Sequence, residues 1–162
     1  MAWLALDEYE KIRRVVPIVC VDLVVLDPIG NVLLIFRRDP PAESEWWLPG
    51  GRVLHGETRL EAVHRLLSRE VGLVAVEVKE CRTREVILPL PDGCSSHAVS
   101  TVFIAVVASW ERLILESSIE KHCVGKLEQL SLLELRPYVR DSIVACLDLY
   151  LDTGYSTVSE KK

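Results

Sequence analysis

The stretch from Trp46 to Leu73 constrains this chain more than any other. It reads Trp46-Trp47-Leu48-Pro49-Gly50-Gly51-Arg52, passes Gly56-Glu57, and ends Arg65-Leu66-Leu67-Ser68-Arg69-Glu70-Val71-Gly72-Leu73. A short aromatic strand, Trp46 to Leu48, meets proline and two glycines, bends, and enters an amphipathic run. Over residues 58–71, Leu60, Val63, Leu67 and Val71 share one apolar stripe at helical spacing. Ala62, Leu66, Arg69 and Glu70 fall on an adjoining side, which sets one carboxylate, Glu70, beside the bend. Two adjacent glycines permit a tight turn with bare backbone. Bare backbone can present a carbonyl to a metal or an amide to a phosphate. Gly72 is a natural helix stop.

The flanks read as a single α/β domain over residues 1–162. Leu4 to Arg14 is a short helix that Pro17 ends, and Pro17–Leu26 is β-rich. Asp27-Pro28-Ile29-Gly30-Asn31 is a turn, with Val32–Arg37 returning as a hairpin. Leu73–Glu80, Arg84–Leu90 and Val99–Ala108 read as three strands, with a loop at Pro91-Asp92-Gly93. Arg136–Leu151 is a second amphipathic helix, followed by Gly154 and a frayed tail from Ser156. Strands alternating with two principal helices suggest an α/β/α sandwich around a mixed sheet.

Several function classes fall away. Net charge is −5 with no basic block, which argues against a nucleic-acid groove. Asp22 and Asp27 interrupt the apolar runs, so none spans a membrane. The N-terminus turns charged by Asp7-Glu8-Tyr9-Glu10-Lys11, so no signal peptide is expected and a cytoplasmic setting is the default. The five cysteines contain no CxxC pair, which argues against zinc and for free thiols.

The spacing of the central stretch resembles the Nudix box. Gly51, five residues, Glu57, seven residues, Arg65, then Glu70, Gly72 and Leu73 follow it. The box also has Glu after its Arg and a second Glu just before Glu70, where this chain has Leu66 and Arg69. The family gathers three carboxylates for several Mg²⁺ ions, and here one remains. The GDP-mannose mannosyl hydrolase branch resembles this chain further, with a similar loss, a single Mg²⁺, and cleavage of the sugar C1–O bond. Asp22, Arg37 and Arg52 match that branch without gaps, and the likeness is strongest over 22–73. The resemblance implies the Nudix-type sandwich and a homodimer.

It also implies roles. Glu70 and the Gly50 carbonyl would hold Mg²⁺, or Mn²⁺. Mg²⁺ often takes only one or two carboxylates and completes its octahedron with water and phosphate. Gly51, Glu57 and Arg65 would be structural, the last two as an ion pair fixing loop to helix. Arg37 and Arg52 would clamp a diphosphate, since guanidinium binds phosphate bidentately and stays charged. Arg38 is the decoy beside Arg37. Asp22, a charge in an apolar run, needs a partner. An arginine and the hydroxyls of a sugar are equal candidates.

In the branch a Gln-His pair lies in a loop about fifty residues beyond the helix, the Gln on the metal and the His activating water. Glu120-Lys121-His122 falls there. His122 is the candidate base. Lys121 stands in the place of Gln, and Glu120 would serve as ligand if the loop shifts by one residue. His55 and His64 read as surface residues, and nothing requires His97 in a site. Of Trp46 and Trp47, one is expected in the core.

The reading is a Mg²⁺-dependent hydrolase of nucleoside diphosphate sugars that releases free sugar and nucleoside diphosphate. A pyrophosphohydrolase acting on an NDP-sugar, ADP-ribose or nucleotide is the rival of the same class. A Nudix-fold binding module without catalysis is the rival of another, favoured by Leu66, Arg69 and Lys121.

Overall fold

The computed structural model describes residues 5–152. The tail expected from Ser156, together with Leu4 and Gly154, lies outside these residues. The elements are α1 (Leu6–Arg13), β1 (Ile18–Leu26), β2 (Val32–Arg37), β3 (Trp46–Trp47), β4 (Gly50–Arg52) and α2 (Arg59–Val71). They continue with β5 (Ala75–Pro89), β6 (Ser95–Val107), β7 (Ile119–Gly125), α3 (Leu127–Leu130) and α4 (Pro137–Asp152).

One mixed sheet holds the strands in the order β3-β2-β1-β6-β5, with β4 on β1 and β7 on β2. β1 runs parallel to β6 along its whole length, from Ile18 opposite Ala98 to Leu26 opposite Val106. Every other pairing is antiparallel. Because β1 is central, Val21 and Leu23 to Leu26 are buried on both faces. Helices α2 and α4 flank this sheet. α2 brings Val63, Leu67 and Val71 to the core, and α4 brings Val139, Ile143 and Cys146.

β1 divides its second edge between two partners, and this division makes the site. Leu26 pairs with Val32 of β2, while Cys20 to Asp22 pair with β4. A cleft therefore opens where the sheet splits.

The glycine pair differs from expectation. Gly50 and Gly51 form a strand rather than the turn, and the chain turns at Gly56, where φ is +77°. Glycine is required at 50 by closeness: a Cβ there would meet the Val21 carbonyl at 2.5 Å and Asp22 Oδ1 at 2.6 Å. Leu60 also departs from its assigned stripe and is about half exposed, whereas Ala62, Leu66 and Glu70 are buried with Val63, Leu67 and Val71. The buried face is thus broader than the stripe alone and carries the carboxylate inward. Thr58 caps α2: its hydroxyl accepts from the Glu61 amide, and Glu61 accepts from the Thr58 amide at 2.7 Å.

The two strands expected over 73–90 are one, β5, with register shifts near Val76 and Cys81. Extra residues at such points bend a strand without ending it. The segment holding Glu120 and His122, expected as a loop, is strand β7 on the outer side of β2. Trp47 is buried and Trp46 half-buried. All five cysteines are free thiols. No helix among the described residues is long and apolar enough to cross a membrane.

Candidate active site

A cleft of about 490 Å³ opens between the β1–β4 junction, the end of α2 and the long β5–β6 hairpin. Asp22, Arg37, Gly50, Gly51, Arg52 and Glu70 all line it. Arg65 lines it as well, whereas Glu120 and His122 do not.

Glu70 is buried, and its Oε2 accepts the Gly50 N–H at 2.9 Å. Oε1 accepts from Arg69 Nη2 at 3.1 Å. Burial holds its carboxyl above the usual value, against the pull of the Gly50 amide and Arg69. Leu23 N–H donates to the Pro49 carbonyl, and Val53 N–H to the Val19 carbonyl. These bonds make Asp22–Gly50 a non-hydrogen-bonded pair of the ladder. Both polar backbone groups of Gly50 therefore point away from β1, the amide to Glu70 and the carbonyl free of the ladder. Leu66 occupies one missing carboxylate position and packs over Gly51, where an added Cβ would lie 3.1 Å from Leu66 Cδ2.

Arg65 grips Glu57 with two bonds, Nε to Oε1 at 2.6 Å and Nη2 to Oε2 at 2.8 Å. Its Nη2 also donates to the Arg52 carbonyl at 2.9 Å, and Glu57 accepts the Leu54 amide at 2.9 Å. The pair thereby ties the end of β4 to α2. Arg65 holds the Glu57 carboxyl below its usual value.

Among the described residues neither Arg37 nor Arg52 has a carboxylate partner. The Arg37 Nε is buried without a hydrogen bond. The Arg52 guanidinium lies over the Tyr9 ring of α1, 4.0 Å from its centroid.

The hydrogen bonds to Asp22 come from hydroxyls, and the charge of Arg37 acts on it without an ion pair among the described residues. Asp22 accepts from Ser100 at 2.5 Å and from Tyr138 at 2.6 Å. Burial raises its carboxyl, with both hydroxyls pulling the other way. Tyr138 in turn stacks on Trp47 at 5.5 Å. Ser100 and Tyr138 were not singled out from sequence. The polar pair Ser100-Thr101 at the head of an apolar strand was the available signal for one of them.

Glu120 and His122 are exposed on β7. His122 lies opposite Ile35. Ser118 is the part of this segment that lines the cleft, and His122 is roughly 13 Å further along at strand spacing. Two acidic groups that sequence reasoning passed over, Asp39 and Glu116, line the cleft instead.

The donor set suits one hard cation. No cluster of three His, Cys, Asp or Glu able to hold a metal occurs among the described residues. One carboxylate with a backbone carbonyl still meets what Mg²⁺ takes from protein when water and phosphate fill the rest.

The NUDIX domain pattern matches residues 16–145. The chain belongs to the Nudix family. As a member it is a hydrolase by family, as the box implied. The glycan biosynthesis protein Agl8 of Haloferax volcanii is 46% identical over 67 residues, a match that covers 41% of this chain and 42% of that protein. The NUDIX domain of Shewanella oneidensis NrtR, solved with ADP ribose, superposes with a TM-score of 0.70 at 18% identity, covering 91% of this chain and 99% of that one. An Ap4A hydrolase of C. elegans gives 0.66 at 15% identity, covering 84% and 98%. At these identities the structural likeness is one of fold.

Proposed function

We propose that this Nudix chain is a Mg²⁺-dependent hydrolase of nucleoside diphosphate sugars, similar to the GDP-mannose mannosyl hydrolases. The observation that carries the reading is a pair of arginines, Arg37 and Arg52, that form no ion pair with a carboxylate among the described residues and lie in the same cleft as Glu70 and Gly50. Unpaired guanidinium in a cleft calls for an anion, and two of them suit a diphosphate. The likeness to a glycan biosynthesis protein over 67 residues supports a sugar nucleotide.

In this mechanism, Arg37 and Arg52 grip the diphosphate and stabilise the charge that grows on it as it leaves. Glu70 and the Gly50 carbonyl would hold Mg²⁺, which when bound neutralises phosphate charge as a Lewis acid. The Glu57–Arg65 pair holds the Arg52 backbone in place. Asp22, with Ser100 and Tyr138 behind it, offers an acceptor to a sugar hydroxyl. Water adds its oxygen to the anomeric carbon, the C1–O bonding electrons leave with the nucleoside diphosphate, and the proton shed by the attacking water passes to solvent. The family resemblance extends the proposal to a homodimer.

One observation favours a second reading. Glu120 and His122 stand outside the cleft, which leaves the sugar-cleaving branch's water-activating pair without a counterpart there. Attack at phosphorus, on an NDP-sugar or on ADP-ribose, is that reading.

Hydrolysis of a panel of NDP-sugars in ¹⁸O-water with Mg²⁺ separates them. Label in the free sugar supports attack at carbon. Label in a phosphate product rejects it in favour of pyrophosphate cleavage. Tight nucleotide binding without any product would indicate a binding module.

A further inference from the structure

Arg69 stands where the Nudix box has a carboxylate, so the charge at that position is reversed. The side chain joins the two walls of the cleft. Its Nη2 lies 3.1 Å from Glu70 Oε1 and its Nε 3.5 Å from Glu116 Oε2. Glu116 comes from the segment between β6 and β7. That segment is pinned to the end of α2 by backbone bonds, Glu116 N–H to the Glu70 carbonyl at 2.9 Å and Ile114 N–H to the Val71 carbonyl at 3.0 Å. Glu70 is itself fixed by the Gly50 amide. The Glu70 carboxylate and the Glu116 main chain are therefore anchored, and the arginine between the two side chains is the part able to move.

Its bonds are loose ones. Arg69 makes a single contact to each carboxylate, and its side chain is 37% exposed. It occupies an oxygen of Glu70, the one buried carboxylate on α2 able to serve a divalent cation. It lines the same cleft as Arg37 and Arg52. A guanidinium and a divalent cation repel when they share one carboxylate.

We propose that Arg69 is an exchangeable cation. It neutralises Glu70 and Glu116 in the empty cleft, gives up Glu70 when a divalent ion arrives, and turns onto the phosphates of the substrate. The inference rests on the reading of a diphosphate substrate. It makes metal and nucleotide binding mutually reinforcing, because each removes the other's competitor, and such coupling is reciprocal.

The test is binding to the full chain, with Mn²⁺ followed by electron paramagnetic resonance and GDP in EDTA by calorimetry. Arg69→Ala should bind Mn²⁺ alone more tightly and metal-free GDP more weakly, each by a factor of about 5–150, the usual range of such coupling. Arg69→Lys should restore part of the GDP affinity. Glu116→Gln, which removes one competitor for the guanidinium, should tighten metal-free GDP. Arg69→Ala with unchanged or weaker Mn²⁺ binding overturns the proposal, as does Glu116→Gln with unchanged or weaker GDP binding. Wild-type protein that binds neither Mn²⁺ nor GDP would count against the proposed function. In that case Arg69→Ala must gain Mn²⁺ binding, or the exchange is rejected too.

Discussion

Helix α2 carries two arginines one turn apart, Arg65 holding Glu57 of the preceding loop and Arg69 touching Glu70 of the helix itself, and the two pairs are built for opposite purposes. Arg65 holds Glu57 through two short bonds and spends a third on the Arg52 carbonyl. Arg69 touches Glu70 once. Arg65 draws the Glu57 carboxyl down, while burial pushes Glu70 up despite its neighbour. A bidentate pair with extra backbone bonds has one geometry and no vacancy. A buried carboxylate with a single loose cation is poised to accept another. The first pair fixes the loop, and the second leaves the site ready for a ligand.

The largest expected effect comes from Glu70. Glu70→Gln should abolish the Mn²⁺ site and lower kcat on the order of 10³, corresponding to the several kcal/mol a metal supplies at a phosphoryl group. The same change should stabilise the metal-free fold at neutral pH. A carboxyl whose folded pKa is raised contributes stability below its unfolded value, near 4.5, and loses it as pH rises through the folded value. Glutamine removes that loss, so the gain in melting temperature should fade as pH is lowered. A melting temperature that falls at pH 7.5 would make Glu70 a structural partner like Glu57 and erase the contrast.

Arg65→Lys loosens the rigid pair while leaving its charge. Lysine keeps the charge but cannot keep the fork and the bond to the Arg52 carbonyl together. Arg52 should then be misplaced, with kcat/KM lower by about 10–100-fold, in line with the cost of a small displacement at a reacting site. Mn²⁺ affinity should stay near wild type, because Glu70 is held by Gly50. An equal loss of metal affinity would show that the two pairs act as one unit.

Glu57→Gln reads out stability. Its carboxyl is depressed in the fold, so it contributes above its unfolded value of 4.5, and this is lost as pH falls through the folded value. The variant should cost about 1.5–3 kcal/mol at pH 7, typical for hydrogen bonds to charged groups, and less below pH 4. Denaturant melts at the two pH values measure the difference.

The helix and the turn into β2 were legible because their signals are local: the apolar spacing over residues 58–71, the Asp27–Asn31 turn, and Gly72. The hairpin expected after that turn is held only at Leu26–Val32, because β2 goes on to pair with β7 and β3. The glycine pair was legible as a special backbone but not as a strand, since the need for glycine at 50 arises from Val21 and Asp22, distant in sequence. Asp22 announced a partner without naming it, because Ser100 and Tyr138 arrive from β6 and α4. Arg69 reads in sequence as a lost ligand, and only the approach of Glu116 gives it a second partner.

The segment after β6 shows the same limit, and it yields the smallest expected effect. Position fifty residues beyond the helix suggested His122 as a base. In the fold, this segment is a strand paired with β2, with Glu120 as the extra residue where the register shifts between Phe36 and Arg37, and that pairing decides where the segment lies. Lys121 lies over the Phe36 ring, 4.2 Å from its centroid, and Glu120 and His122 are exposed. The cleft ends at Ser118. Substitution of an exposed residue away from the site changes free energies by only ~0.5 kcal/mol, so His122→Gln should leave kcat within about threefold of wild type. The pH profile should keep its basic limb. A loss on the order of 10²–10⁴ in kcat, the worth of a general base, would require β7 to leave β2 and swing into the cleft when substrate binds. Hydrogen exchange of the β7 amides with and without GDP and Mg²⁺ decides between these. Protection that persists in the complex keeps His122 outside, and protection lost on binding would restore it to the reaction.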